Sequence, residues 1–131
     1  MSSMQNQEDA PMSTASPNGP FVMVVEDDML IAATLEIALE SREYRMLGPA
    51  STLEEAQRLL ETSEPDIALI DYRLATTTTE KLLPSLNSRH IPICVLTGAD
   101  ELPPAYAGCT VLKKPFRLNA LIDALKEARP N

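Results

Sequence analysis

Acidic side chains follow two apolar segments of this sequence, and a hydroxyl and a lysine follow two others. Glu26-Asp27-Asp28 come after 21–25, Asp71 after 67–70, Thr97 after 93–96, and Lys114 after the segment around 110–112. Alone, each residue has an ordinary role, such as a helix N-cap, a turn former or a solvated surface charge. Together, carboxylates, a hydroxyl and an ammonium group are the set that could bind a cation and a transferred anion. The chemistry therefore depends on whether the fold brings the four segment ends together.

Carboxylates that converge need a counter-charge. Two unit charges about 4 Å apart repel by roughly 4 kcal/mol at an effective dielectric near 20. A cluster of Glu26, Asp27 and Asp71 must therefore take up a proton, lose stability or bind a cation. Mg²⁺ suits such a site because it prefers oxygen ligands and usually takes one or two protein carboxylates. The metal would neutralise an incoming phosphoryl group while Asp71 attacks it, and Thr97 and Lys114 would bind the remaining oxygens.

Short apolar segments alternate with amphipathic segments from residue 21 onward. The predicted strands are 21–25, 45–47, 67–70, 93–96 and 110–112, and the predicted helices are 29–42, a helix capped by Thr52 and Glu55, a weak helix at 80–88, and 118–129. Gly48-Pro49 is expected to end the second strand. This alternation predicts an α/β fold, a doubly wound five-stranded parallel sheet with helices on both faces. In the strand order 2-1-3-4-5, strands one and three are neighbours, so their acids meet at the carboxyl edge.

Length and charge limit the possible partners. The 131 residues fit one domain at 21–129, preceded by a Ser-, Gln-, Asn- and Pro-rich leader at 1–20 that is expected to be disordered. The net charge of −8 disfavours direct binding to nucleic acid or to an anionic membrane. No segment is long and apolar enough for a membrane span, and a cytoplasmic location is expected. Cys94 and Cys109 lack metal-ligand spacing, and Cys94 is expected to be a buried apolar side chain.

Four segments resemble the receiver domains of two-component response regulators. They are Val24-Val25-Glu26-Asp27-Asp28, Pro65-Asp66-Ile67-Ala68-Leu69-Ile70-Asp71, Leu96-Thr97-Gly98 and Leu112-Lys113-Lys114-Pro115-Phe116. The resemblance covers about 21–128 and implies a flavodoxin-like fold. It implies that Asp71 is the phosphoacceptor, that Asp27 binds Mg²⁺ directly, and that Glu26 acts through water or backbone. It also implies that the backbone carbonyl of Arg73 completes the metal site.

The resemblance further implies roles for the phosphoryl-binding residues. Thr97 corresponds to the switch hydroxyl and Lys114 to its ion-pair partner, while Gly98 leaves room for the phosphoryl group and offers its N–H to an oxygen. The Lys114-Pro115 bond is commonly cis in this family.

The sequence departs from the usual receiver pattern in three places. The loop after Asp71 contains Thr76-Thr77-Thr78-Thr79 instead of proline or glycine, and we interpret it as a polar loop. Val111 stands where an aromatic switch residue is usual, so switching by an aromatic flip is not expected. The short stretch between Thr97 and Lys114 contains Pro103-Pro104, which predicts a short, irregular or mobile fourth helix. These features resemble a receiver subfamily with Thr-Gly after the fourth strand and no aromatic switch residue.

The hypothesis from sequence is a single-domain response regulator, a phosphoacceptor that assists its own phosphorylation and dephosphorylation without being an enzyme in the ordinary sense. A sensor histidine kinase or histidine phosphotransferase would supply the phosphoryl group, and output would go through contact with a downstream protein or through phosphorelay. A pseudo-receiver that is never phosphorylated is the alternative. A haloacid-dehalogenase-type phosphatase would need an acid where Arg73 stands, and a flavodoxin would need a phosphate-binding loop where the three acids stand.

Overall fold

The structure, a computed structural model, describes residues 19–130; most of the predicted leader lies outside this range. Five strands are present: β1 (Phe21–Val25), β2 (Arg45–Ala50), β3 (Ile67–Asp71), β4 (Ile93–Thr97) and β5 (Thr110–Lys113). Four α-helices connect or follow them: α1 (Met29–Ser41), α2 (Leu53–Thr62), α3 (Leu83–Ser88) and α4 (Leu118–Ala128). A 3₁₀ turn at Glu80–Leu82 leads into α3, and a second one occupies Pro104–Tyr106. No helix within 19–130 has the length and apolar composition needed to cross a membrane.

All strand pairs are parallel, and the strand order is β2-β1-β3-β4-β5. Helices α1 and α4 cover one face of the sheet, while α2 and α3 cover the other. Residues within β1, β3 and β4 are buried on both faces, which explains why these strands are continuous apolar runs. The predicted α/β architecture, strand order and flavodoxin-like fold are confirmed. Cys94 is fully buried in this core, as predicted, and burial raises the pKa of its thiol to about 12.

The predicted end of the second strand was wrong, because β2 continues through Gly48-Pro49 to Ala50. Its pairing with β1 shifts register between Met23 and Val25, where β2 accommodates one extra residue. Gly48 has φ +98°, and a Cβ there would lie 2.8 Å from the nitrogen of Ala50. A glycine is thus required at this position, and proline is tolerated beside it because β2 is an edge strand.

The stretch between β4 and β5 contains no α-helix in the structure. The 3₁₀ turn at Pro104–Tyr106 stands in its place, which confirms the prediction of a short or irregular fourth helix. The weak helix predicted at 80–88 is likewise divided into a 3₁₀ turn and the short α3, with Pro84 in the first turn of α3. A proline is compatible with that position because the first turn of a helix has no intrahelical acceptor for its N–H.

Candidate functional site

The carboxyl edge of the sheet brings the predicted residues together. Glu26 directly follows β1, Asp71 and Thr97 are the last residues of β3 and β4, and Lys114 directly follows β5. These four strands are consecutive neighbours in the sheet. The amide of Lys114 donates to the carbonyl of Thr97 at 2.8 Å, which aligns the ends of β4 and β5. The site is therefore positioned by the strand ladder itself.

Three carboxylates form an acidic cluster at this edge, defined here as Glu26, Asp27 and Asp71. One carboxylate oxygen from each residue lies within 4.8 Å of the other two. Glu26 and Asp71 are buried, whereas Asp27 is half-buried. Asp28 is excluded from the cluster because its carboxylate caps α1, where it accepts from the amides of Leu30 and Ile31.

Burial and neighbouring charge both act on Asp71. Burial and the adjacent Glu26 together raise the pKa of its carboxyl group from an ordinary 3.8 to about 8, while Lys114 acts in the opposite direction. The Nζ of Lys114 lies 3.0 Å from Asp71 Oδ1 and 3.5 Å from Glu26 Oε1. The first of these contacts is an ion pair without hydrogen-bond geometry, so the buried Oδ1 has no hydrogen-bond partner within residues 19–130.

Lys114 stays charged in this position. Desolvation alone would lower the pKa of its ammonium group, but the carboxylates of Asp71 and Glu26 outweigh that effect and the pKa is raised. The lysine is thus the counter-charge of the cluster. Its peptide bond to Pro115 is cis, as the resemblance implied.

A cavity of about 350 Å³ opens beside Asp71 and is lined also by Arg73, Thr97, Gly98 and Lys114. The buried hydroxyl of Thr97 accepts a hydrogen bond from the amide of Ala99 at 2.9 Å. A Cβ at Gly98 would meet no heavy atom within 4 Å, so the packing of the fold does not itself require glycine there. The residues assigned to phosphoryl binding therefore share one open cavity.

Arg73 occupies the loop after β3. Its guanidinium group lies over the ring of Tyr72, 5.2 Å from the ring centroid, and its backbone pairs with Thr78 in an isolated antiparallel bridge. This bridge folds the loop back on itself, and Arg73 lines the wall of the cavity. The proposed role of its carbonyl stays a prediction.

The sequence reasoning missed the role of Thr79 and Tyr106. Thr76 and Thr77 are exposed, as the interpretation of a polar loop requires, but Thr79 is completely buried. Its hydroxyl donates to the carbonyl of Asp71 and lies 2.9 Å from the hydroxyl of Tyr106, which is also buried. Thr79 directly precedes the 3₁₀ turn at Glu80–Leu82, and no local sequence signal distinguishes it from the three threonines before it.

The acidic cluster fits a divalent cation. Three carboxylate oxygens lie close enough together to bind one hard cation. The buried Oδ1 of Asp71 has no hydrogen-bond partner within 19–130, and a bound cation would coordinate it. Glu26, Asp27 and Asp71 would hold the ion. It would supply positive charge that lowers the pKa of Asp71 and neutralises negative oxygens nearby.

Comparisons with known proteins agree with this geometry. A family model described as Response regulator receiver domain matches residues 22–126. The positive alginate biosynthesis regulatory protein of Pseudomonas aeruginosa is 36% identical over 84% of this chain and 48% of its own length. Regulatory protein VanR of Enterococcus faecium is 30% identical over 80% of this chain and 48% of its own length.

A solved structure shows the same similarity. The signal receiver domain of a modulated diguanylate cyclase from Desulfovibrio desulfuricans is 31% identical, with a TM-score of 0.73 over 85% of this chain and 94% of that one. The fold and site define a receiver domain of the two-component signalling type. This chain belongs to the response regulator receiver domain family. It spans about half the length of the two curated relatives named above.

Proposed function

We propose that this chain is a magnesium-dependent phosphoacceptor that receives a phosphoryl group on Asp71 from a histidine kinase or a histidine phosphotransferase. The observation that carries the proposal is the carboxyl group of Asp71, which lines an open cavity beside a lysine and whose buried Oδ1 has no hydrogen-bond partner within 19–130. Apart from its ion pair with Lys114, this oxygen has no partner within 19–130, which leaves it able to act as a nucleophile once the carboxyl group is ionised.

The transfer would proceed by attack of an Asp71 carboxylate oxygen on the phosphorus of a phosphohistidine. A phosphorus–oxygen bond forms as the phosphorus–nitrogen bond breaks, and the departing imidazole takes up a proton. The bound cation would supply charge neutralisation. Lys114 and the Thr97 hydroxyl, both at the wall of the same cavity, would bind phosphoryl oxygens, and Gly98 would offer its amide.

The modified Asp71 would redistribute the contacts of the site. A phosphoryl group adds about −1.5 to −2 charge at neutral pH. Lys114 would then pair with this group, and Thr97 would give up its bond to the amide of Ala99 in order to reach it. Loops at the carboxyl edge would shift, and affinity for a downstream protein would change. Because the net charge is −8, output through protein contact or phosphorelay is favoured over direct binding to nucleic acid.

Acetyl phosphate tests this function. With Mg²⁺ present, intact mass spectrometry should show one added phosphoryl group on the wild-type protein, and none when EDTA replaces Mg²⁺. Asp71→Asn should abolish the adduct. Asp123→Asn, at an exposed position in α4, is the matched control and should leave it unchanged. An unmodified wild-type protein that still folds and binds a partner would instead support a pseudo-receiver.

A further inference from the structure

Thr79 and Tyr106 connect the backbone of the phosphoacceptor to the turn that replaces the fourth helix. Thr79 lies at the end of the loop after β3, and Tyr106 ends the 3₁₀ turn before β5. Thr79 is 0% and Tyr106 2% exposed, so water does not compete for the hydrogen bond between them. No other side-chain hydrogen bond described within 19–130 links the loop after β3 to this turn.

The direction of the hydrogen bonds follows from the donors available. A threonine hydroxyl has one proton, and Thr79 directs it to the carbonyl of Asp71, with a longer contact of 3.4 Å to the carbonyl of Tyr72. The hydroxyl of Tyr106 must then donate to Thr79 at 2.9 Å. Burial raises the pKa of Tyr106, which keeps this donor protonated. A continuous chain thus runs from Tyr106 through Thr79 to the backbone of Asp71.

Aromatic packing supports the same connection. The rings of Tyr72 and Tyr106 meet edge to face, with centroids 5.4 Å apart and planes at 88°. Tyr72 is the residue directly after Asp71, and its carbonyl also accepts the amide of Thr79 at 3.0 Å. A displacement of the backbone at 71–72 therefore has two physical contacts through which it can move Tyr106.

The turn held by Tyr106 forms part of a surface cavity. This cavity, of about 290 Å³, is lined by Leu102, Pro104, Tyr106 and Val111 among others, and Val111 is 46% exposed on the edge strand β5. Its shape depends on the position of the turn. Because residue 111 is valine, the rotation of an aromatic side chain at this position cannot change the surface.

We propose that the Thr79–Tyr106 hydrogen bond is the positioning element that couples phosphorylation of Asp71 to the surface formed by the 104–106 turn and β5. The inference rests on the proposed function. Thr79 acts through the Asp71 carbonyl and Tyr106 acts through Thr79, so neither contacts the phosphoryl group. Bistable packing of this kind can convert a small displacement at the site into a discrete change at the surface.

Amide hydrogen exchange, measured with Mg²⁺ and with or without acetyl phosphate, tests the coupling. In the wild-type protein, phosphorylation should change exchange in peptides covering 72–79 and 99–109, by about threefold or more. The response at 99–109 is taken from the amides of 105–109, because the amide of Ala99 is bonded to Thr97 and would respond to Thr97 directly. Tyr106→Phe and Thr79→Val each remove one hydroxyl and keep the packing. In these variants the change at 72–79 should remain, while the change at 99–109 should fall to less than about a third of the wild-type value.

Matched variants separate coupling from a general loss of stability. Thr79→Ser keeps the hydroxyl and should restore the response at 99–109. Tyr44→Phe and Thr77→Val remove the same groups at positions where no side-chain hydrogen bond is described, and they should behave as wild type. A stability effect alone would alter exchange equally with and without acetyl phosphate.

The outcomes distinguish the two proposals. If acetyl phosphate does not modify the wild-type protein, the proposed function fails and this inference fails with it. If the protein is modified but Tyr106→Phe responds at 99–109 as the wild type does, the inference alone is overturned. The same holds if phosphorylated wild type shows no change at 99–109.

Discussion

Replacing Asp71 by asparagine should stabilise the metal-free protein. Asp71 is buried, and its pKa is raised from 3.8 to about 8. At about pH 7 the folded protein must therefore hold a proton that the unfolded chain releases, which costs on the order of 4 kcal/mol for three pKa units. Asparagine has nearly the same shape and no charge. Because the asparagine amide is still a polar group that must be buried there, we expect a net gain of about 2 to 3 kcal/mol, less than the full cost of the raised pKa.

The sign of the pH dependence identifies the cause. An acid whose pKa is raised on folding binds more protons in the folded state, so stability falls as pH rises from about 4 to about 8. Urea unfolding in EDTA at several pH values should show the wild-type protein losing stability across that window. The advantage of Asp71→Asn should be absent near pH 4 and greatest near pH 8.

The Asp71→Asn stability prediction has a matched control variant and two results that would refute it. Asp123→Asn should stay within about 0.5 kcal/mol of the wild type at each pH, since the residue is exposed. The reasoning is refuted if Asp71→Asn is less stable than the wild type in EDTA, or if the difference between them does not depend on pH. Either result would mean that the burial of Asp71 carries no electrostatic cost.

Three further predictions concern the cation, the lysine and the bulge in β2. Mg²⁺ at ten times its dissociation constant should stabilise the wild-type protein by about 1.4 kcal/mol in the same assay, and should stabilise Asp71→Asn less. Lys114→Met should destabilise the metal-free protein by about 1 to 2 kcal/mol near pH 8 and by less near pH 5, where protonation removes the charge that the lysine balances. Gly48→Ala should cost about 2 to 4 kcal/mol by thermal or urea unfolding, because of its positive φ and the clash with Ala50. Gly108→Ala, where a Cβ meets nothing within 4 Å, should cost less than about 1 kcal/mol.

The site was predictable because it depends on strand ends. An apolar run of four or five residues marks a buried strand, and the residue that follows it lies at the carboxyl edge of any parallel sheet. This rule placed Asp71, Thr97 and Lys114 without knowledge of the helices. Strand order and the residue types then determined which of them could meet.

The full length of the second strand and the burial of Thr79 were not predictable by the same means. Gly48-Pro49 has the local signature of a turn, and only the pairing of β2 with β1 as an edge strand allows the chain to continue through it. Thr79 closes a run of four threonines whose local patterns are alike. Its burial is decided by Tyr106, which is 27 positions away in the chain.

The charges at the carboxyl edge favour the binding of a cation. The acidic cluster has three carboxylates within 4.8 Å of one another, and each ionised pair repels by roughly 3.5 kcal/mol at a dielectric near 20. Lys114 contributes one positive charge, placed nearest Asp71 and Glu26, and no ion pair of Asp27 is described within 19–130. Without a cation, the protein avoids the remaining repulsion by keeping Asp71 protonated, which is the state least able to attack phosphorus. Under the proposed function, the same burial that makes Asp71 a poor acid would thus make its reactivity depend on a bound cation.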